Sequence, residues 1–68
     1  MFYSNKLLAK MIEKGISKTE MASALGVDAA TLYRKLNGAS DFKRQEIEII
    51  RNRLKLTVNE AEAIFFAK

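Results

Sequence analysis

Chemistry in this chain has to come from cations, hydroxyls and amides, because the usual catalytic and metal-binding side chains are missing. There is no histidine and no cysteine. Their absence removes the commonest general base near neutral pH and the thiolate and imidazole metal ligands, and it rules out a disulfide. The Ser, Thr and Tyr hydroxyls therefore have no partner base, and no pair of carboxylates has a companion suited to acid–base work. The reading is a protein that is not an enzyme and takes no cofactor, metal or small-molecule ligand. What the chain does offer is positive charge: twelve Lys and Arg against eight Asp and Glu, a net +4, with an isoelectric point near 9.6. That balance suits a nucleic-acid partner, although by itself it also fits a ribosome-associated or merely soluble protein.

The elements that must position those groups are all helices. Pro is absent and Gly occurs three times in 68 residues, so little interrupts helical propensity. A first helix is expected from about Asn5 to Lys14, capped by Ser4 or Asn5, with Leu8, Met11 and Ile12 at core spacing. Gly15 ends it, and Ile16 folds back onto Met11 in a Schellman motif. Ser17-Lys18-Thr19-Glu20 is a capping box opening a second helix, whose stripe is Met21, Ala22 and Leu25 and whose stop is Gly26. Asp28 caps a third helix that carries Leu32 and Leu36 inward and ends at Asn37-Gly38. After the loop Ala39-Ser40-Asp41 and Phe42, a fourth helix spans roughly Lys43 to Leu54 on Ile47, Ile50 and Leu54, closed by Leu56. A second capping box, Thr57-Val58-Asn59-Glu60, opens a fifth with Val58, Ala61, Ile64 and Phe65 as its stripe. Residues 1–68 thus read as one compact all-α unit of five helices, without repeat or linker. Its core is small enough to need good helix packing, self-association or both. No long apolar run is present, so neither a signal peptide nor a membrane span is expected, and the expected location is the cytoplasm.

The second and third helices fit a helix-turn-helix, in which a short turn containing Gly joins two short helices. Ala22 is small where the helices cross, Gly26 can take the positive φ of the turn, and Val27 and Leu32 fill the angle between them. Residues Ser17 to Val27, followed by Thr31-Leu32-Tyr33-Arg34-Lys35-Leu36-Asn37-Gly38, resemble the Cro and lambda-type repressor superfamily. The chain's length and its Glu62-Ala63-Ile64-Phe65-Phe66 segment look like small phage Cro repressors. One departure stands out: Lys35 occupies a position that is usually apolar, with Leu36 one residue later, and a slight rotation of the third helix's end is expected from it.

The resemblance implies a lambda-repressor-like fold whose third helix lies in the major groove with its N-terminal residues against base edges. By position, Ala29, Ala30 and Arg34 become the direct readers, with Thr31 and Tyr33 beside them. Arg34 can donate two bonds to O6 and N7 of a guanine, and the two alanines can meet thymine methyls. Phosphate contacts are implied for Lys18 and Thr19 at the start of the second helix, and for Lys35, Asn37, the Gly38 backbone, Ser40, Lys43 and Arg44 after the recognition residues. Arg51, Arg53 and Lys55 read as cations stabilising a helix C-terminus. Glu46, Glu48, Glu60 and Glu62 read as a solvated acidic side. Phe2 and Tyr3 either fold over the core or stay mobile. Phe66, Ile49 and Val58 form the expected dimer contact, in a homodimer that can be weak or DNA-induced.

Together these expectations describe a sequence-specific regulator of double-stranded DNA, a phage or prophage Cro-like repressor reading an inverted-repeat operator as a dimer, in the host's nucleoid. The alternatives keep the fold and change the role to an antitoxin or a protein-binding module, or make the chain a non-specific nucleoid or RNA-binding helper.

Overall fold

Ser17 and Thr57 each do the same job at the head of a short helix. The Ser17 hydroxyl accepts from the Glu20 N–H at 3.0 Å while Glu20 takes the Ser17 N–H at 3.3 Å. Thr57 and Glu60 repeat the exchange at 3.1 and 2.9 Å. Each reciprocal pair satisfies two N–H groups that a helix start leaves without partners. The computed structural model, which describes residues 1–67, has five helices. They are α1 (Ser4–Lys14), α2 (Lys18–Leu25), α3 (Ala29–Leu36), α4 (Arg44–Leu54) and α5 (Val58–Phe65). Helix α2 lies against α3 and α4, and α1 lies against α4 and α5.

Their shared interior is built on Leu7, Met21, Leu32, Ile50 and Leu54, one or two from each of α1 to α4 and all essentially inaccessible, with Ile64 and Phe65 added by α5. Burying an aliphatic side chain of this kind contributes about 1.5–3 kcal/mol. A second, aromatic layer closes the core. Phe2, Phe42 and Phe65 meet with ring centroids 5.1 to 5.7 Å apart. The residues before α1 are therefore part of the fold, and the Tyr3 N–H also donates to the Ile64 carbonyl at 2.7 Å.

Several local expectations change. Helix α1 starts at Ser4 with Tyr3 at the cap and no capping side chain, while the Asn5 side chain accepts only from its neighbour's N–H. That helix faces inward through Leu7 and Met11, one turn apart; Leu8 is half-buried and Ile12 is 81% exposed. A stripe one residue too wide was expected, and Ile12 lies about 100° around the helix from Met11. Val58, expected in the α5 stripe, is exposed. The Schellman turn is as expected, with the Ile16 N–H on the Met11 carbonyl at 2.9 Å.

Candidate nucleic-acid interface

Three residues, Gly26 to Asp28, separate α2 from α3. Gly26 sits at φ 71°, the left-handed region that glycine adopts without steric cost. Its N–H and that of Val27 return to the Ser23 and Ala22 carbonyls at 3.1 and 3.0 Å. Ala22 is buried, and Val27 is half-buried and packed on the core. Asp28 then starts α3 by accepting the Thr31 N–H at 2.7 Å. That backbone bond is the main reason the Asp28 carboxyl lies below its ordinary pKa; the Thr31 hydroxyl and the Arg34 charge pull the same way against a smaller opposing effect of desolvation.

On the outer face of α3, Ala29, Ala30, Tyr33 and Arg34 are exposed and Thr31 is half-buried. Arg34 Nη2 donates to the Thr31 hydroxyl at 3.1 Å, a bond that engages one of the five guanidinium N–H donors. Lys18 and Thr19 of α2 face Ala29, Ala30 and Tyr33 across a groove of about 380 Å³, floored by Leu32 and Leu36. The fold thus brings Ala29, Ala30 and Tyr33 together with the two α2 candidates for phosphate contact, while Thr31 and Arg34 stand outside that groove.

Asn37, Ser40, Lys43 and Arg44 are also exposed, at the end of α3 and the start of α4. The Gly38 N–H is turned inward to the Lys35 carbonyl at 3.2 Å, and those of Ala39 and Ser40 to the Arg34 carbonyl at 2.9 and 3.4 Å. In this loop the side chains, not the Gly38 backbone, face outward for a ligand.

Lys35 is a correction. It is 6% exposed because Leu32, Lys35 and Leu36, at i, i+3 and i+4, share the inward face of one helix. Its ammonium donates to Glu46 Oε1 at 3.0 Å and to the Asp41 carbonyl at 3.1 Å. Lys35 is therefore committed inside the protein and is not at a surface that meets phosphate. Leu36 is buried beside it, and the odd residue is accommodated by pairing.

Glu46, expected on a solvated side, is 8% exposed and also accepts the Lys43 N–H at 2.7 Å. Desolvation is the largest single influence on this carboxyl and pushes it up. The Lys43 N–H, the Lys35 hydrogen bond and both lysine charges together outweigh it, leaving the pKa below the ordinary value. A charge standing where a stripe needs an apolar side chain demands a buried opposite charge, and that rule could have pointed to Glu46. Glu60 is likewise not free: it pairs with Lys10 of α1.

The expected dimer residues Ile49, Val58 and Phe66 are exposed apolar side chains on α4, α5 and the end of α5. Phe66 is 60% exposed and lies beside Arg44, Ile47 and Glu48 of α4. Val58, also exposed, is at the other end of α5, about 12 Å away along the axis. Ile49 is at the margin of exposure on α4.

Two helices joined by a three-residue turn, the second capped and outward-facing with a basic flank, define a helix-turn-helix DNA-binding protein. The family model of the Cro/C1-type HTH DNA-binding domain matches residues 6–62, and the chain belongs to that family. No curated protein and no solved structure gave a match. Among the described residues no helix is long and apolar enough to cross a membrane.

Proposed function

We propose that this chain acts as a single helix-turn-helix unit, a Cro-like repressor of a phage or prophage switch that reads an inverted-repeat operator as a homodimer. The observation that carries the reading is the outer face of α3. There Arg34, bonded to Thr31, is exposed one turn after Ala30, and Ala29, Ala30 and Tyr33 share a groove with Lys18 and Thr19 of α2. Arg34 pairs with a guanine through O6 and N7, and the alanines accept thymine methyls. Lys18, Thr19, Asn37, Ser40, Lys43 and Arg44 hold the two backbones and set the register without reading sequence. Blocking a promoter needs only occupancy, so the role asks for no reaction and no effector. Recognition helices of a dimer must lie about 34 Å apart, one turn of DNA. The molecule's longest extent is 28 Å, a size at which two copies side by side can meet that spacing.

Selection of bound sequences from random duplexes, with wild-type protein and Arg34→Ala, tests the reading. An enriched inverted repeat that loses its guanine preference in the variant is expected. Recovery of no motif by folded wild-type protein would sink it.

A further inference from the structure

The buried pair between α3 and α4 does more than fill space. Lys35 and Glu46 side chains are 7% and 10% exposed and meet at 3.0 Å. Their remaining bonds go to one place, the second half of the loop between the helices. Lys35 holds the Asp41 carbonyl, Glu46 holds the Lys43 N–H, and the Lys35 ammonium lies 5.9 Å from the centre of the Phe42 ring. The first half of that loop is tied back to α3 by the Gly38, Ala39 and Ser40 N–H groups.

A well-packed apolar pair of similar volume would serve the core as well as a buried ion pair, since desolvation offsets most of the attraction between the charges. It could not hold a loop carbonyl and a helix-start N–H. We propose that Lys35 and Glu46 are positioning residues for the DNA-backbone clamp. Their pair fixes residues 41–43 and the first turn of α4 so that Asn37, Ser40, Lys43 and Arg44 reach phosphates together. This rests on the DNA-binding reading above. It also explains why a cation occupies an inward position of α3 within reach of the loop.

The test is the double variant Lys35→Met/Glu46→Leu, which keeps the net charge and nearly the volume, so general attraction to DNA and core filling are retained. Two readouts are taken: amide hydrogen exchange at Lys43, and affinity for a random-sequence duplex across a salt series. Expected are cooperative melting, exchange at Lys43 faster by about tenfold or more, and a salt slope of log K shallower by about one to two units, as lost phosphate contacts require. Loss of folded fraction alone would lower affinity without changing that slope. Wild-type exchange and wild-type slope in the folded double variant overturn the proposal. If the double variant does not melt cooperatively, Glu46→Ala, which removes the acceptor of the Lys43 N–H, takes its place, and unchanged exchange at Lys43 there overturns it equally. Wild-type protein that binds no duplex removes the DNA reading and the clamp with it, whereas binding by wild type with no difference in the variant removes only the positioning role.

Discussion

Arg34 donates a hydrogen bond to the Thr31 hydroxyl one turn earlier on the exposed face of α3, at 3.1 Å. The bond restricts a long side chain at the surface, and pre-ordering of this kind reduces the entropy lost when the guanidinium engages a partner. Thr31→Val keeps the shape and removes the acceptor. For the selected operator, affinity is expected to fall by about three- to tenfold, the value of one modest hydrogen bond. Affinity for random duplex should stay unchanged. A competition titration measures both, and equal losses on the two would show that Thr31 does not act through Arg34.

Single changes at the buried pair should be far harsher than the double change. Lys35→Met leaves the Glu46 carboxylate inside without its cation, at a cost of about 3–5 kcal/mol. That is a large part of the total stability of a small domain, about 5–15 kcal/mol. Glu46→Gln keeps an acceptor for Lys35 and should cost less. Urea titrations of Lys35→Met, Glu46→Leu and the Lys35→Met/Glu46→Leu double give the coupling, and additive losses would contradict a paired role.

Acid should destabilise the fold through carboxylates that are paired when folded. The Lys10 hydrogen bond, followed by the Thr57 N–H, holds Glu60 down to about 2, from an ordinary 4.5, and Asp28 and Glu46 are also lowered. A depressed folded pKa gives stability that is complete above the unfolded value and is lost as pH falls through the folded one. Lys10 is raised, first by its bond to Glu60 and then by Glu13, so its contribution is retained below its ordinary 10.5. Melting temperature should therefore be flat from about pH 5 to 9 and fall between about pH 4.5 and 2. Glu60→Gln should melt below wild type at pH 7 and converge with it near pH 2; a constant offset at every pH would exclude the Lys10–Glu60 pair as the source.

Two left-handed positions should respond in opposite directions. A Cβ on Gly26 meets nothing within 4 Å, so Gly26→Ala feels only the backbone cost of its positive φ. A loss of about 1 kcal/mol is expected, or about 4–8 °C in a chain of this size. Lys55 ends α4 at φ 53° without being glycine. Lys55→Gly should raise stability by a few tenths to about 1 kcal/mol. Thermal melts of both variants decide it.

Phe66 is the exposed aromatic at the end of α5, and self-association through it should weaken in Phe66→Ala. Sedimentation across a concentration series compares the variant with wild type. Val58→Ala, at the far end of the helix, should have the smaller effect, and identical association in all three proteins would move the dimer contact elsewhere.

Unlike the start of α1, where Tyr3 takes the cap position without a capping side chain, the helix ends at Gly15, Ser17, Gly26 and Thr57 were legible because their signals are local. Ser17 with Glu20, Thr57 with Glu60, and Gly15 and Gly26 each specify a helix end through atoms a few residues apart. The turn geometry followed from Gly26, and the outward placing of Ala29, Ala30, Tyr33 and Arg34 from the resemblance to the repressor superfamily. Ile12 has core spacing in the sequence yet is exposed, because periodicity gives the direction of a stripe better than its width. How much of α1 is covered depends on where α4 and α5 lie.

By itself, then, the sequence determined five helices, the turn between α2 and α3, and a basic outward face without catalytic groups. Only the tertiary structure decided the fate of Lys35 and Glu46, eleven residues apart and on different helices. Each reads locally as a solvated surface charge, and only the approach of α3 to α4 gives each the other as a partner. The same holds for Phe2, Phe42 and Phe65, drawn from three distant stretches into one cluster. Burial is a property of the assembled core, and side chains far apart in the chain meet only once the helices have packed.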